Sequence, residues 1–291
     1  MTGLSLALVL LSAVAHASWN LLLKHGRNQE VFAWWLQIAI IVLLAPVAAV
    51  IAWREPIEGP GWWFVIGTSL LHVLYFLFLS RGYVRADLSL VYPLARGTGP
   101  ALIPVMGVVL LDEHVSGLAI AGITAIVGGI FTVYWWGRAS QILADPFKFL
   151  REPGTRYALL TGLTIAGYSV WDKVGVGYVN PLLYMYLLSL GTALGLAPYM
   201  VWRHGTGTIR RELKFNFASM VAAGMLTFTA YAMVLSALRL SRVSYVSPVR
   251  EVGIVFSVLL GALVLKEPFG RGRIVGSVLV ALGVLLIALA Q

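Results

Sequence analysis

YPLARGTGPALIPVMGVVLLDE, residues 92–113, has a counterpart in the second half of the chain, VSPVREVGIVFSVLLGALVLKE, residues 246–267. A shift of 154 positions places Arg96 on Arg250, Gly99 on Gly253, Gly107 on Gly261, Leu111 on Leu265 and Glu113 on Glu267. The same shift carries Gly122 to Gly276, Gly129 to Gly283 and, upstream, Arg85 to Arg239, all without a gap. Each copy is an apolar run with an arginine inside it, broken by glycine or proline. In a water-soluble enzyme such a helix is buried core. Here it stands among many equally apolar neighbours.

Composition decides between the two. The 291 residues are 59% hydrophobic and 11% charged, with a mean hydropathy of +0.87, whereas soluble domains carry about 25% charged residues. The pattern predicts an all-α integral membrane protein. Ten apolar runs each approach the roughly 20 residues a helix needs to cross a hydrocarbon core, and with short loops they use almost the whole chain. The absence of cysteine excludes disulfides and thiolate metal sites. A net charge of +9 would suggest nucleic acid as the partner of a soluble protein, but here the basic residues fall in loops and no nucleic-acid partner is expected. Ala15-His16-Ala17 resembles a signal-peptide cleavage site, yet the basic n-region is missing. The first apolar run therefore reads as a retained span.

The expected spans are 2–23, 30–53, 60–80, 88–111 and 117–136 in the first half, and 156–171, 181–202, 215–238, 243–265 and 273–290 in the second. Residues 138–155, rich in charge, proline and glycine, link a repeat at 1–137 to a repeat at 156–291. The longest basic loop is 203–214. Of 21 lysines and arginines, 15 lie in the loops after odd-numbered spans and four on the opposite side, with Arg96 and Arg250 inside spans. The positive-inside rule then puts both termini outside the cytoplasm. Trp34, Trp35, Trp53, Trp62, Trp63, Trp135, Trp136 and Trp202 fall near span ends, as interfacial anchors do.

The repeat extends to the first span of each half. A shift of 149 places Leu10-Leu11-Ser12 on Leu159-Leu160-Thr161, Ala17 on Ala166, Trp19 on Tyr168, Asn20 on Ser169 and Lys24 on Lys173. Five spans per repeat is an odd number, so the second copy enters the membrane upside down. Two inverted five-helix repeats are the construction of many secondary transporters, with a binding site near the midplane.

Two such halves, each with the acidic turn LLDEHVSG or LKEPFGRG, a glycine-dotted last span and a terminal lysine on its first span, resemble the EamA branch of the drug/metabolite transporter superfamily. The resemblance covers nearly the whole chain. It implies a multi-pass protein of a bacterial inner membrane that exports or exchanges small metabolites, often amino acids, with no ATPase subunit, no cofactor and no enzymatic activity. Two features depart from the pattern: Asp112-Glu113 is doubly acidic where the second copy has Lys266-Glu267, and many members are described with cytoplasmic termini, against the loop charges here.

Charged side chains cost roughly 2.5–3.5 kcal/mol at a bilayer centre, so those inside spans tend to face a wet cavity or a partner. On the first span Ser12, His16, Asn20 and Lys24 recur every four residues with Trp19 beside them, a polar stripe that suits either a cavity wall or interhelical hydrogen bonds. Tyr92 and Arg96 share a face of the fourth span, where Pro93 and Pro104 remove backbone donors. Arg96 and its mate Arg250 could each grip a substrate carboxylate with two prongs, or pair with an acid. Glu251 reads as the one acid well inside a span and is the candidate for proton coupling or for a substrate ammonium group; a structural pair with Arg96 or Arg250 is the alternative. His72 and Tyr75 share a face of the third span with Thr68, Tyr231 lies on the eighth with Thr227, and Tyr168 and Trp171 lie on the sixth; aromatic rings with polar tips suit a pocket for a small metabolite. Glu113 and Glu267 are expected to cap or tie helices, and the glycines of spans 4, 5, 9 and 10 to allow close packing in a scaffold or dimer surface. No metal site is expected.

The function expected is that of a monomeric secondary transporter embedded in membrane lipid, exporting or exchanging a small-molecule substrate such as an amino acid by alternating access. A lipid or lipid-headgroup translocator and a proton-coupled organic cation exporter are the alternatives. An intramembrane enzyme would need a tight His/Asp/Glu cluster, which the sequence does not offer.

Overall fold

The computed structural model describes residues 1–24, 26–86, 88–136, 151–264 and 270–290, and of residues 88–90, 92, 93, 261, 262 and 264 the backbone only. Most of the linker expected at 138–155, and Glu267, lie outside the described residues. Every secondary-structure element among the described residues is a helix: α1 (Gly3–Leu23), α2 (Gln29–Arg54), α3 (Gly59–Arg85), α4 (Leu88–Leu111), α5 (Gly117–Trp135), α6 (Pro153–Gly175), α7 (Pro181–Leu240), α8 (Val243–Arg250), α9 (Gly253–Val264) and α10 (Arg271–Leu289). Eight helical stretches are long and apolar enough to cross a membrane. Their outward faces carry Val42, Leu43, Val47, Val50, Leu70, Val105 and Val109 exposed, while Thr161, Ser169, Asp172 and Glu251 are buried. Apolar outside and polar inside is the arrangement a hydrocarbon solvent selects.

Expected boundaries shift by a few residues at several ends, α3 for instance running on to Arg85, and two differences change the course of a span. Residues 203–214 were expected as a loop, but α7 runs through them for 60 residues. A straight helix of that length would be about 90 Å long, about three times the hydrocarbon core, and the chain departs from helical geometry at Gly205 (φ 70°) and Asn216 (φ −122°). The left-handed conformation at Gly205 is one that only glycine adopts without strain. Between these breaks the segment is amphipathic, with Ile209 and Glu212 buried and Arg210, Arg211 and Lys214 exposed. Glu212 accepts the backbone N–H groups of Arg27 (3.0 Å) and Asn28 (3.2 Å), and Trp35 donates to the Ile209 carbonyl at 2.9 Å. Tertiary contacts at the start of α2 thus hold as helix a stretch whose composition suggests a loop.

The second difference lies in the span expected over 243–265, which is divided into α8 and α9. Pro248 has no N–H to give, and the turn beyond it tightens, with Glu251 N–H bonding the Pro248 carbonyl (3.0 Å) and Val252 N–H that of Val249 (3.1 Å). By contrast α4 stays continuous despite Pro93, Pro100 and Pro104.

The tightest packing joins α5 to α10. A methyl placed on Gly122 would sit 2.7 Å from the Gly283 carbonyl oxygen, and one on Gly129 2.7 Å from that of Gly276. The pairing is self-complementary. Under the 154-residue shift Gly122 corresponds to Gly276 and Gly129 to Gly283, so residue i meets the mate of j and residue j meets the mate of i, as across a two-fold axis. The two helices run antiparallel.

At the end of the molecule that carries the N-terminus, hydrogen bonds join the halves and tie down the end of α7. Asp112 turns the chain with a positive φ of 53°, which aspartate tolerates better than most residues. Glu113 then reaches the start of α8 and accepts Val243 N–H (2.8 Å), Ser244 N–H (2.9 Å) and the Ser244 hydroxyl (2.6 Å). This is an N-terminal cap supplied from the other half. Gly107 leaves room for it, since a methyl there would meet Ser244 Oγ at 2.3 Å and Glu113 Oε2 at 2.9 Å. Lys173 donates to the Leu238 (2.6 Å) and Ser241 (2.9 Å) carbonyls at the end of α7, and Ser5 and Ser241 hydroxyls meet at 2.7 Å. At this end α8 packs on α4, whereas α9 rests on α1 and α10.

Two outcomes follow from this packing. Gly122→Leu forces α5 from α10 and should cost about 1–3 kcal/mol, the usual penalty of overpacking, measured as a fall in thermal unfolding of the detergent-solubilised protein; Gly128→Leu, where a side chain meets nothing within 4 Å, should not. Glu113→Ala leaves buried amides unpaired at about 1–3 kcal/mol each. In the naturally cysteine-free chain, a cysteine placed at the buried Ser247 should then react faster with a membrane-impermeant thiol reagent added on the N-terminal side.

Candidate functional site

His16, Trp19 and Asn20 stand on α1 at positions i, i+3 and i+4, one face of the helix. Trp19 Nε1–H lies 3.1 Å from His16 Nδ1, with the rings edge to face at 5.3 Å. Asn20 donates to the His16 carbonyl at 2.8 Å and so serves its own helix. Arg96, from the middle of α4, brings NH2 within 2.8 Å of His16 Nε2 and donates through NH1 to Glu251 Oε1 at 3.3 Å. Arg250 ends α8 and Glu251 occupies the break beyond it. Four side chains that the sequence singled out, His16, Arg96, Arg250 and Glu251, therefore line one cavity, together with Gly253, Ile254 and Ser257. Each half of the chain supplies an arginine to it.

Among the described residues lining the cavity, two guanidiniums face one carboxylate, which is itself buried. His16 has a sharper conflict, because both its neighbours, the Trp19 indole N–H and the Arg96 guanidinium, can only donate. A neutral imidazole carries one proton and accepts at one nitrogen. Whichever tautomer forms, one ring N–H faces another donor, and an acceptor entering between Arg96 and His16 would relieve it.

A second cluster adjoins the first. His72 on α3 stacks on Tyr168 of α6 at 4.2 Å and meets Tyr231 of α7 edge to face at 5.8 Å, while Tyr75 meets Tyr168 at 6.1 Å. The Arg250 guanidinium lies over the Tyr231 ring, 5.1 Å from its centre, so this one side chain touches both groups. Trp171 stands apart, half-exposed, donating to the Phe64 carbonyl at 3.0 Å and packing on Phe64. The side chain of Tyr92 lies outside the described residues; its backbone is in α4.

One buried acid escaped the sequence reading. Asp172 is fully buried and accepts the hydroxyls of Tyr184 (2.8 Å) and Tyr231 (2.5 Å). The expectation that Glu251 is the one acid well inside a span is thereby corrected. The sixth span, expected over 156–171 or one turn longer, takes that further turn as α6 continues to Gly175, and the charge pair Asp172-Lys173 does not terminate the helix because Lys173 is satisfied by carbonyls of α7. The signal available was the helical spacing itself: Asp172 follows Tyr168 by one turn. Among the described residues no group of three His, Asp or Glu side chains is placed to hold a metal ion.

A model of the EamA-like transporter family matches residues 3–135 and again 153–289. The two matched stretches are of nearly equal length and together cover most of the chain. A solved crystal structure is similar in fold, with a TM-score of 0.74 over 99% of this chain and 98% of that one at 17% sequence identity. With its family model matched in both halves and its apolar helices, the chain is a multi-pass membrane protein and belongs to the EamA-like transporter family.

Proposed function

We propose that the protein is a monomeric secondary transporter of a bacterial inner membrane, exporting or exchanging small metabolites such as amino acids by alternating access through the central cavity. The observation that carries this is the convergence of His16, Arg96, Arg250 and Glu251, drawn from both halves, on one cavity among apolar helices. The repeat organisation supports it. Divided at its breaks, α7 supplies two spans, α8 and α9 together supply one, and α6, too polar to count by hydropathy, is enclosed by α3 and α4. That gives two sets of five with opposite orientation, and the self-complementary contact of α5 with α10 fits their pseudo-two-fold axis.

The charge balance favours a substrate with an anionic group. Two arginines against one glutamate leave a positive charge to be met, and a carboxylate inserted beside Arg96 also relieves the donor conflict at His16. The same balance disfavours an organic cation. As a substrate carboxylate takes Arg96, Glu251 is released from its 3.3 Å pairing and can take the substrate's ammonium group or a coupling proton. Tyr75, Tyr168 and Tyr231 with His72 form the adjoining aromatic wall, and Trp19 holds the His16 ring. Closure between Glu113 and α8 seals one end, and separation of α9 from α4 suits access from the other.

The test is uptake and counterflow of radiolabelled amino acids in proteoliposomes, with and without a pH gradient. Arg96→Gln and Arg250→Gln should each weaken apparent affinity about ten- to a hundredfold, the equivalent of one charge-assisted contact. Glu251→Gln should abolish gradient-driven accumulation. Absence of flux for every amino acid under both conditions overturns the substrate class.

A further inference from the structure

Asp172 is not part of the cavity, and nothing in the transport scheme above uses it. Its surroundings are nevertheless unusual for a carboxyl group inside a membrane protein. Tyr184 and Tyr231 donate to its two oxygens from the two limbs of α7, and Thr68 of α3, also buried, places its hydroxyl 3.2 Å from His72 Nδ1. No lysine or arginine lies within salt-bridge distance among the described residues. The adjacent Lys173 spends its ammonium on the Leu238 and Ser241 carbonyls. A carboxylate enclosed by hydroxyls alone keeps its charge without a counter-charge, whereas a carboxylic acid in the same place needs none.

The titratable groups around it are few. His72 faces it from α3, with Nδ1–H donating to the Thr68 carbonyl at 2.9 Å, which leaves Nε2 as the nitrogen able to take a proton. Tyr168 faces it from the preceding turn of α6. Arg250, a fixed positive charge in the substrate cavity, is joined to Asp172 by Tyr231: the guanidinium covers one face of the ring and the ring's hydroxyl ends on Oδ2 at 2.5 Å.

We propose that Asp172 is a proton-binding carboxyl distinct from the substrate cavity, and that Tyr231 transmits its charge state to Arg250. Asp172 takes a proton from water and returns it to water, with no other bond made or broken. With Asp172 ionised, the Tyr231 hydroxyl is held on the carboxylate and the ring is fixed beneath Arg250. With Asp172 protonated, that charge-assisted bond becomes a neutral one, roughly half as strong, and the platform under Arg250 loosens. A group on α6 thereby sets how firmly an α8 arginine is held at the cavity. The inference gives the proposed transporter a second titrating group, but its test needs no substrate, so the two can fail separately.

The test is infrared difference spectroscopy of the full-length protein in lipid between acid and alkaline pH. The wild type should show a protonated-carboxyl band that is lost in Asp172→Asn and retained in Glu251→Gln. The guanidinium bands, assigned through Arg250→Lys, should change over the same pH interval in the wild type and stay constant in Tyr231→Phe. Should Asp172→Asn fail to fold, isotope-edited spectra of the wild type with labelled aspartate assign the band without that substitution. A carboxyl band that survives Asp172→Asn, the absence of any aspartate band at any pH, or guanidinium bands still coupled in Tyr231→Phe overturns the proposal, the second of these making Asp172 a permanent helix tie.

Discussion

A guanidinium surrounded by hydrocarbon needs an acceptor, and Arg96 of the first half finds its anionic one at Glu251 of the second. Much of the interior is arranged around that need. The acceptor is available because Pro248 interrupts hydrogen bonding and the helix breaks at Glu251-Val252, which places a carboxyl at the break rather than along a continuous wall. In water such a pair contributes about 0–1 kcal/mol. Inside a bilayer the alternative to pairing is a bare charge, so the pair fixes α4 against the junction of α8 and α9 until something with an equivalent acceptor replaces it.

Two kinds of contact surround this centre, and they differ in how easily they exchange. The α5 and α10 contact brings backbone to backbone at the glycines, flanked by the branched side chains of Ile126, Val133, Val280 and Ile287. It is suited to stay fixed. The contact between Glu113 and α8 is made of three hydrogen bonds to one carboxylate, whose donors can each turn to water. One contact is thus interlocked by shape and the other held by hydrogen bonds.

The internal repeat, the membrane class and the residues of the cavity were legible because each left a local mark: glycines at one offset, apolar runs of sufficient length, and charges where charges are costly. What was illegible depended on tertiary partners. The basic segment 203–214 has a loop's composition, and only the burial of Glu212 against the amides of Arg27 and Asn28 keeps it helical. Asp172 next to Lys173 resembles the polar end of a span, and only the course of α7 shows that the lysine is satisfied elsewhere and the acid enclosed. Pro93 and Pro104 remove backbone donors from α4, which nevertheless runs as one helix, whereas the single Pro248 lies just before a break. Proline removes a bond, but neighbouring packing decides whether the helix is interrupted there.

The repeat itself separates scaffold from chemistry. Gly99, Gly107, Gly122, Gly129 and the two arginines are kept between the halves, as packing and the charge each copy presents to the centre require. The other site groups are not kept. Under the same offsets Glu251 corresponds to Gly97, His16 to Ile165, Asp172 to Leu23, His72 to Leu226 and Tyr231 to Leu77. The repeat is thus broken in charge at Glu251, beside the paired arginines, as it is at the acidic turn, where Asp112 corresponds to Lys266, and in polarity at His16, Asp172, His72 and Tyr231.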